Sequence, residues 1–229
     1  MRFSLWDVLK TAMISLAWII ISSVLVIAVL GHFSNGLEFS IGTISIIIFV
    51  VVVLCINKYM IKKNKLTWEA LGFRRLKKKQ LVKLTWQIPL LWILMIATQL
   101  IFILIYFGGD THNLPETQNG TASLEINLFT IFAVFIAIAL VTPLIEEIIF
   151  RGGILQALKT KYNTFIAILL SSVLFLLAHP VTLIMPALLV AGLSFGYLYH
   201  KYDSIYPPIL HHMFINSINV IAVSAFSFL

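Results

Sequence analysis

Long apolar runs, separated by short polar segments, dominate the residue pattern of the chain. Uncharged apolar runs of 18 or more residues recur, and each is long enough for a helix to cross about 30 Å of hydrocarbon. Hydropathy predicts seven spans, the fourth of which is interrupted by Pro143. The predicted spans are residues 11–30, 39–56, 84–107, 126–158, 164–178, 181–199 and 205–228.

The composition agrees with a membrane protein. Of the 229 residues, 60% are hydrophobic and 11% are charged, and the mean hydropathy is +1.02. These values exclude a water-soluble enzyme and a disordered chain, and the single Cys55 excludes a disulfide framework. We predict an all-α fold, a polytopic transmembrane helix bundle that forms a single integral membrane domain over residues 1–229.

The basic residues are concentrated in one segment. The net charge is +7, and ten of the 16 Lys and Arg residues lie between Lys58 and Lys83. Their interleaving with apolar residues favours a basic cytoplasmic loop, residues 58–83, that rests on anionic lipid headgroups. A plain solvated loop is the alternative, and the distribution does not favour nucleic acid as a partner.

The charges also predict an orientation. With seven spans and a cytoplasmic 58–83 loop, all 16 Lys and Arg residues fall on the inner side or at its boundary. The outer segments carry Glu38, Asp110, Glu116 and Glu125 instead. This segregation follows the positive-inside rule and predicts a multi-pass protein of the cell membrane with a cytoplasmic N-terminus.

Several polar residues lie at membrane depth, where a charge is costly and usually serves a function. The fourth span carries Glu146, Glu147 and Arg151. Glu147 and Arg151 are four residues apart, a spacing that suits a structural ion pair on a helix. Glu146 faces a different direction and needs a water, a metal or a proton as its partner.

The seventh span carries a second polar group. His212 and Asn216 are four residues apart and share a helix face, so that they offer two hydrogen-bond donors for a developing oxyanion. The neighbouring His211 has the apolar Ile215 four residues later, which favours His212 as the working residue. Asn219 extends the polar face or bonds another helix.

Helix arithmetic brings these groups to similar heights. Glu146 lies 15 residues before Lys161 in the turn between the fourth and fifth spans, and His179 lies 18 residues after it. At about 1.5 Å per residue, the two differ by ~4–5 Å in height, and His212 can reach the same level. Phe175, one turn before His179, would form an apolar wall. We predict an active-site cavity nearer the cytoplasmic face.

Three motifs occur in order on successive apolar helices: EExxxR (Glu146, Glu147, Arg151), FxxxH (Phe175, His179) and HxxxN (His212, Asn216). They resemble the motifs of the CPBP family of intramembrane proteases, which includes the CAAX prenyl proteases and the bacteriocin-processing and bacteriocin-immunity (Abi) proteins. The resemblance covers about residues 140–220, within a motif-bearing core at about 126–228. Prenyl proteases are generally described with eight spans.

The resemblance implies an intramembrane endopeptidase, a peptide-bond hydrolase. In such an enzyme Glu146 and His179 would activate a water, and His212 with Asn216 would stabilise the oxyanion. Glu147, Arg151 and Phe175 would support them. The implied substrate is a membrane-tethered peptide or protein of the leader, bacteriocin or CAAX type.

The metal question stays open at the level of sequence. Glu146, His179 and His212 could supply three zinc ligands with an open fourth position, although no HExxH pair is present. We favour a water activated without a tightly bound metal. No cofactor is firmly predicted, and a divalent metal such as zinc is the alternative.

Two other classes of function fit parts of the pattern. A non-catalytic bacteriocin-immunity or partner-binding membrane protein would keep its function after Glu146→Ala. A small proton-coupled transporter would also carry Glu and His in the membrane, but no paired broken helices or repeat halves support it.

Overall fold

The apolar runs fold into helices because backbone polar groups in hydrocarbon must find their partners within the chain. The computed structural model describes residues 4–30, 36–108 and 128–226, and no residue in these ranges lies in a β-strand. The predicted all-α bundle is therefore confirmed. The predicted outer residues Asp110, Glu116 and Glu125 lie outside the described residues, as do the start of the fourth predicted span, at 126–127, and the end of the seventh, at 227–228.

Nine α-helical segments form the described part of the bundle. They are α1 (Leu5–Leu30), α2 (Gly36–Ile56), α3 (Lys78–Phe107), α4 (Leu128–Val134), α5 (Thr142–Glu147), α6 (Gln156–Leu158), α7 (Thr164–Leu177), α8 (Met185–Tyr202) and α9 (Tyr206–Phe226). Two π-helical segments, Phe135–Val141 and Ile148–Leu155, join α4, α5 and α6 into one composite helix, residues 128–158.

Five helices within the described ranges are long and apolar enough to cross a membrane. They are Leu5–Val29, Thr43–Lys62, Lys78–Phe107, Thr130–Leu158 and Tyr206–Ala225. The fifth predicted span is the shorter apolar helix α7, with 14 residues. The sixth was predicted from residue 181, but its helix α8 begins at Met185 because Pro180 and the turn at 183–184 interrupt the apolar run. The count of seven spans stays a prediction.

The composite helix passes through Pro143 without a break. Proline lacks an N–H and crowds the carbonyl one turn earlier, so that it normally kinks or ends a helix. Here the wider π-helical segment Phe135–Val141 precedes it, and the N–H of Thr142 bonds the carbonyl of Ala137, five residues earlier. The helix therefore continues to Glu146 and Glu147 one turn after the proline.

The basic segment 58–83 packs onto the protein. Leu71, within a short 3-10 turn (Trp68–Leu71), is fully buried, and Leu66, Trp68 and Phe73 pack against the same core. These apolar side chains therefore cover the ends of the helices. The contact of the basic side chains with lipid headgroups stays a prediction. Both ends of the segment are also helical, since α2 continues into a π-helical stretch, Asn57–Lys62, and α3 begins at Lys78.

This segment also holds the turn between α8 and α9. The Ile205 N–H donates to the Gly72 carbonyl at 2.8 Å, and the Ser204 hydroxyl donates to the Arg74 carbonyl at 2.7 Å. Arg74 forms an ion pair with Asp203. These contacts fix the start of α9, the helix that carries the HxxxN motif.

Candidate active site

A cavity of about 460 Å³ lies between α3, the composite helix, α7, α8 and α9. Its wall is mostly apolar, and the polar groups on it come from several helices. The predicted site residues on the wall are Glu146, Phe175, His179, His212 and Asn216. The predicted supporting residues Glu147 and Arg151 are fully buried behind the wall.

Glu146, from the first motif, lies beside one histidine from each of the other two motifs. Its Oε2 atom lies 4.0 Å from Nε2 of His179 and 3.8 Å from Nε2 of His212. This oxygen is buried and has no hydrogen-bond partner among the described residues. The structure therefore brings together the carboxylate and both histidines that the sequence placed at one height.

The backbone sets the tautomer of His179. Its Nδ1 atom lies 2.8 Å from the carbonyl oxygen of Phe175, one turn earlier. Because a carbonyl can only accept, Nδ1 carries the proton and a neutral ring presents its Nε2 lone pair towards Glu146. Phe175 also contacts the ring, with 4.7 Å between ring centroids. The FxxxH motif thus orients the histidine through the backbone and the ring of one residue.

A buried ion pair sets the tautomer of His212. The Glu147 Oε1 atom accepts from Nδ1 of His212 at 3.1 Å and from the Arg151 guanidinium at 2.9 Å. The carboxylate that pairs with Arg151 accepts the Nδ1 proton, so that Nε2 of His212 faces Glu146. Glu147 therefore acts as a positioning residue.

Arg151 joins this pair to the next helix. Its second terminal nitrogen donates to the carbonyl of Gly192 on α8 at 3.0 Å. The guanidinium carbon lies 4.7 Å from the ring centroid of Phe175 and 4.9 Å from that of Phe195. The predicted ion pair is thus present, enclosed by hydrogen bonds and aromatic faces that offset part of the cost of its burial.

The two adjacent histidines of α9 differ in their surroundings. His211 is fully buried, neither ring nitrogen has a hydrogen-bond partner among the described residues, and its ring packs on Phe195 with 5.2 Å between centroids. It does not line the cavity. The cavity therefore holds His212, the histidine that the sequence analysis favoured.

Both members of the predicted donor pair on α9 already have a hydrogen-bond partner within the protein. Asn216 already donates through Nδ2 to the carbonyl of Ile138 at 2.9 Å. Its amide keeps a second N–H, whereas His212 can donate through Nε2 only when that nitrogen is protonated, because Nδ1 is bonded to Glu147. Periodicity placed both residues on one face and could not reveal the neighbours that each of them bonds.

The donor set does not form a ready metal site. No group of three or more His, Cys, Asp and Glu side chains in the described ranges is arranged to hold a metal ion. The Glu146 Oε2 atom lies 3.8 Å from Nε2 of His212 and 4.0 Å from Nε2 of His179. Two ligand atoms that are each about 2.0–2.1 Å from one tetrahedral zinc lie closer to each other than this. The arrangement fits an exchange of protons among the three groups and a water.

Two polar residues of the cavity wall, Gln99 and Thr142, were not predicted, and neither was most of its apolar lining, such as Met95. The signal for Gln99 was present, since it is one of two amides, with Gln87, within the apolar run 84–107. Asn219 was noted without a definite role, and it also lines the cavity.

Comparisons with known proteins agree with this geometry. Residues 128–218 match the family described as Type II CAAX prenyl endopeptidase Rce1-like. The chain is also 35% identical over 106 residues to a protein of Bacillus subtilis (strain 168) named "Putative membrane peptidase YdiL". That similarity covers 46% of this chain and 43% of the relative, so that the chain spans less than half the length of the curated relative it matches. No solved structure matches the chain.

Fold and site together define a multi-pass, all-α membrane protein with a carboxylate and two histidines in one cavity. The matched segment contains all three motifs, from Glu146 to Asn216. Through this segment the chain is similar to the Rce1-like CAAX prenyl endopeptidases, the kind of intramembrane protease whose motifs the sequence resembles.

Proposed function

We propose that this protein is an intramembrane endopeptidase that cleaves a membrane-tethered peptide or protein. The observation that carries the proposal is the convergence on Glu146 of two histidine Nε2 atoms, at 4.0 and 3.8 Å. Both rings are held through their other nitrogen, one by a carbonyl and one by a carboxylate. Such preorganised acceptors suit general acid–base work on a water.

The proposed reaction is a direct hydrolysis. A water held between Glu146 and His179 gives a proton to the carboxylate as its oxygen bonds to the peptide carbonyl carbon. The separations around Oε2 exceed a direct hydrogen bond and leave room for a bridging water. The proton then passes, with His179 as the relay, to the leaving amine when the carbon–nitrogen bond breaks.

The negative oxygen of the tetrahedral intermediate needs donors on the opposite side. Asn216 offers its second amide N–H, and His212 offers Nε2 whenever that nitrogen carries a proton. The pair Glu147–Arg151 keeps the His212 ring in place through Nδ1. His212 and Asn216 are therefore proposed as the oxyanion site.

The location of the cavity supports a membrane-tethered substrate. His212 is six residues, or about 9 Å, from the start of α9, and this end of the helix carries the basic segment and the 159–163 turn. A peptide anchored in the cytoplasmic leaflet can reach this level. We propose a leader-type or bacteriocin-type peptide as substrate, with a prenylated CAAX-type tail as the alternative.

A cleavage assay with purified protein in liposomes tests the proposal. The substrates are a library of acylated or prenylated peptides, and products are identified by mass spectrometry. We expect cleavage by the wild type, loss of cleavage in His179→Ala, and full cleavage by His200→Ala, a matched change on α8 outside the cavity. Cleavage that survives in His179→Ala contradicts the mechanism.

Two further arms of this assay decide the open points. We propose activation of water without a tightly bound metal, so that activity should survive a strong chelator. Loss of activity on chelation, with recovery on adding zinc, would instead support Glu146, His179 and His212 as metal ligands. If the protein cleaves no peptide and His179→Ala keeps the phenotype of the native host, a non-catalytic immunity or binding role replaces the proposal.

A further inference from the structure

Polar amides line the cavity beyond the catalytic residues, on two facing helices. Gln99 of α3 and Asn219 of α9 are both part of the wall, together with Thr142 and Asn216. The mechanism proposed above does not use Gln99, Thr142 or Asn219. Gln99 and Thr142 have one intramolecular hydrogen bond each, to Leu183 and Ala137.

The orientation of the Gln99 amide follows from its partner. Its Nε2 atom donates to the carbonyl of Leu183 at 2.9 Å. Because that carbonyl can only accept, the nitrogen must face Leu183, and the oxygen Oε1 is the atom that remains. Oε1 is buried and has no hydrogen-bond partner among the described residues. Gln99 thus keeps an unused acceptor beside an otherwise apolar wall.

Asn219 is the corresponding group on α9. It is seven residues after His212, which is about two helical turns on nearly the same face and about 10 Å further along the axis. No hydrogen bond joins its side chain to any other residue in the described ranges. Its amide therefore offers both a donor and an acceptor.

The two amides lie at about the same level of the bundle. The ring of Trp92 on α3 packs against that of Phe214 on α9, with 6.0 Å between centroids. Both helices run in the same direction, since Gln87 near the start of α3 bonds Tyr202, just before α9. Gln99 is seven residues beyond Trp92 and Asn219 is five beyond Phe214, so that their heights differ by about 3 Å.

We infer that Gln99 and Asn219 form a subsite for the backbone of an extended peptide, about three residues from the bond that is cut. The inference rests on the proposed function and assigns the way in which its substrate is held. An extended chain rises about 3.3 Å per residue, so that three residues cover the ~10 Å from His212 to Asn219. Thr142 and Asn216 lie between these two levels on their own helices.

A peptide fits this set of groups better than an acyl or prenyl chain does. An unwound peptide at membrane depth has N–H and C=O groups that must be bonded there. Gln99 Oε1 can accept an N–H, and the Asn219 amide can bond either group. A hydrocarbon chain would leave the same amides without partners, which is costly wherever the chain excludes water from them.

The experiment measures coupling between Gln99 and single backbone groups of the substrate. A membrane-tethered peptide that the wild type cleaves is synthesised with an ester in place of one amide, so that one N–H is replaced by oxygen. The peptides carry the ester at successive positions on both sides of the scissile bond. If no peptide is cleaved, the same series is scored for binding to the Glu146→Gln variant in nanodiscs by fluorescence anisotropy.

We expect one position, about three residues from the scissile bond, at which the ester raises KM or Kd about 3- to 10-fold with wild-type Gln99. In Gln99→Leu the amide and ester peptides should bind equally at that position, since the acceptor is absent. Asn219→Leu should raise KM by a similar factor without lowering kcat. The matched controls Thr98→Val and Ser217→Ala change neighbouring residues outside the cavity and should alter neither value.

The outcomes separate the two proposals. If the peptides bind with an ester effect that depends on Gln99 but are not cleaved, the subsite proposal is retained and the peptidase proposal is rejected. If the peptides are cleaved and the ester has the same effect in wild type and Gln99→Leu at every position, the subsite proposal is overturned and the peptidase proposal is retained. A purely structural role of Gln99, through its bond to Leu183, would lower activity equally for all peptides and would also overturn the subsite.

Discussion

At the scale of single residues, the site depends on fixed ring orientations. Each of the two cavity histidines, His179 and His212, has one nitrogen bonded to an acceptor that cannot donate, namely the Phe175 carbonyl or the Glu147 carboxylate. The other nitrogen is thereby directed at Glu146. Three residues that are far apart in the sequence thus present three proton acceptors to one point.

The buried pair Glu147–Arg151 gives a prediction at this scale. Removing one member of a buried pair leaves the other charge uncompensated and typically costs about 3–5 kcal/mol. We expect Arg151→Met to lower the thermal unfolding midpoint in detergent strongly. The double variant Glu147→Gln/Arg151→Met should recover part of the loss, because it removes both charges, and Lys161→Met at an exposed turn should have little effect. Additive losses in the double variant would contradict this account.

The sequence predicted the motif residues but not all their partners. Helical spacing suffices for a local pair such as Glu147–Arg151, since both members lie on one helix. The bond of Asn216 to Ile138 and that of Gln99 to Leu183 join distant segments. Such contacts depend on how the helices pack, which one sequence does not specify.

At the scale of helices, close packing of α7 and α8 positions the FxxxH motif. A Cβ atom added at Gly192 would lie 3.1 Å from Cβ and 3.2 Å from Cα of Ser172. At Gly196 it would lie 2.8 Å from the Cγ2 methyl of Ile168. Small residues thus allow the two backbones to approach, as is usual between helices in a membrane.

The variants Gly192→Ala and Gly196→Ala should respond differently when Ile168 is also shortened to alanine. Each single variant should destabilise the protein by about 1–3 kcal/mol, since the added methyl overpacks a tight contact. Ile168→Ala should relieve Gly196→Ala, whose contact is a side-chain methyl, and should leave Gly192→Ala unrelieved, because that contact includes the backbone of Ser172. Unfolding midpoints of the five variants measure this, and equal relief at both glycines would refute the packing argument.

The helix boundaries show where hydropathy alone is insufficient. The apolar run from 181 predicted a span, yet the chain turns at 180–184 and α8 begins at Met185. The basic segment 58–83 resembled an amphipathic surface loop, but its apolar side chains complete the core. Hydrophobicity indicates that a residue avoids water and does not indicate whether it contacts lipid or protein.

At the scale of the whole molecule, the basic regions meet at one end of the bundle. Lys63 pairs with Asp7 near the start of α1, and Arg74 pairs with Asp203 in the turn before α9. Together with the turn at 159–163, these contacts gather the basic residues that the positive-inside rule assigns to the cytoplasm.

Cysteine labelling tests this orientation. In a Cys55→Ala background, Lys79→Cys and Lys161→Cys should react with a membrane-impermeant maleimide only when the cytoplasmic side is open to the reagent. Tyr106→Cys, at the other end of α3, serves as the opposite control. Labelling of Lys79→Cys from outside intact cells would reverse the orientation, and labelling of the two lysine positions from different sides would contradict the bundle itself.

The central claim is that Glu146 receives the proton of the attacking water. The most direct test is the rate at which Glu146→Gln cleaves a peptide that the wild type cleaves. Glu69→Gln, a change at an exposed residue of the basic segment, is the matched control. Glutamine keeps the size of the side chain but cannot accept the proton, so that we expect the rate to fall about 100-fold or more with unchanged thermal stability. A Glu146→Gln variant that cleaves as fast as Glu69→Gln would contradict the account.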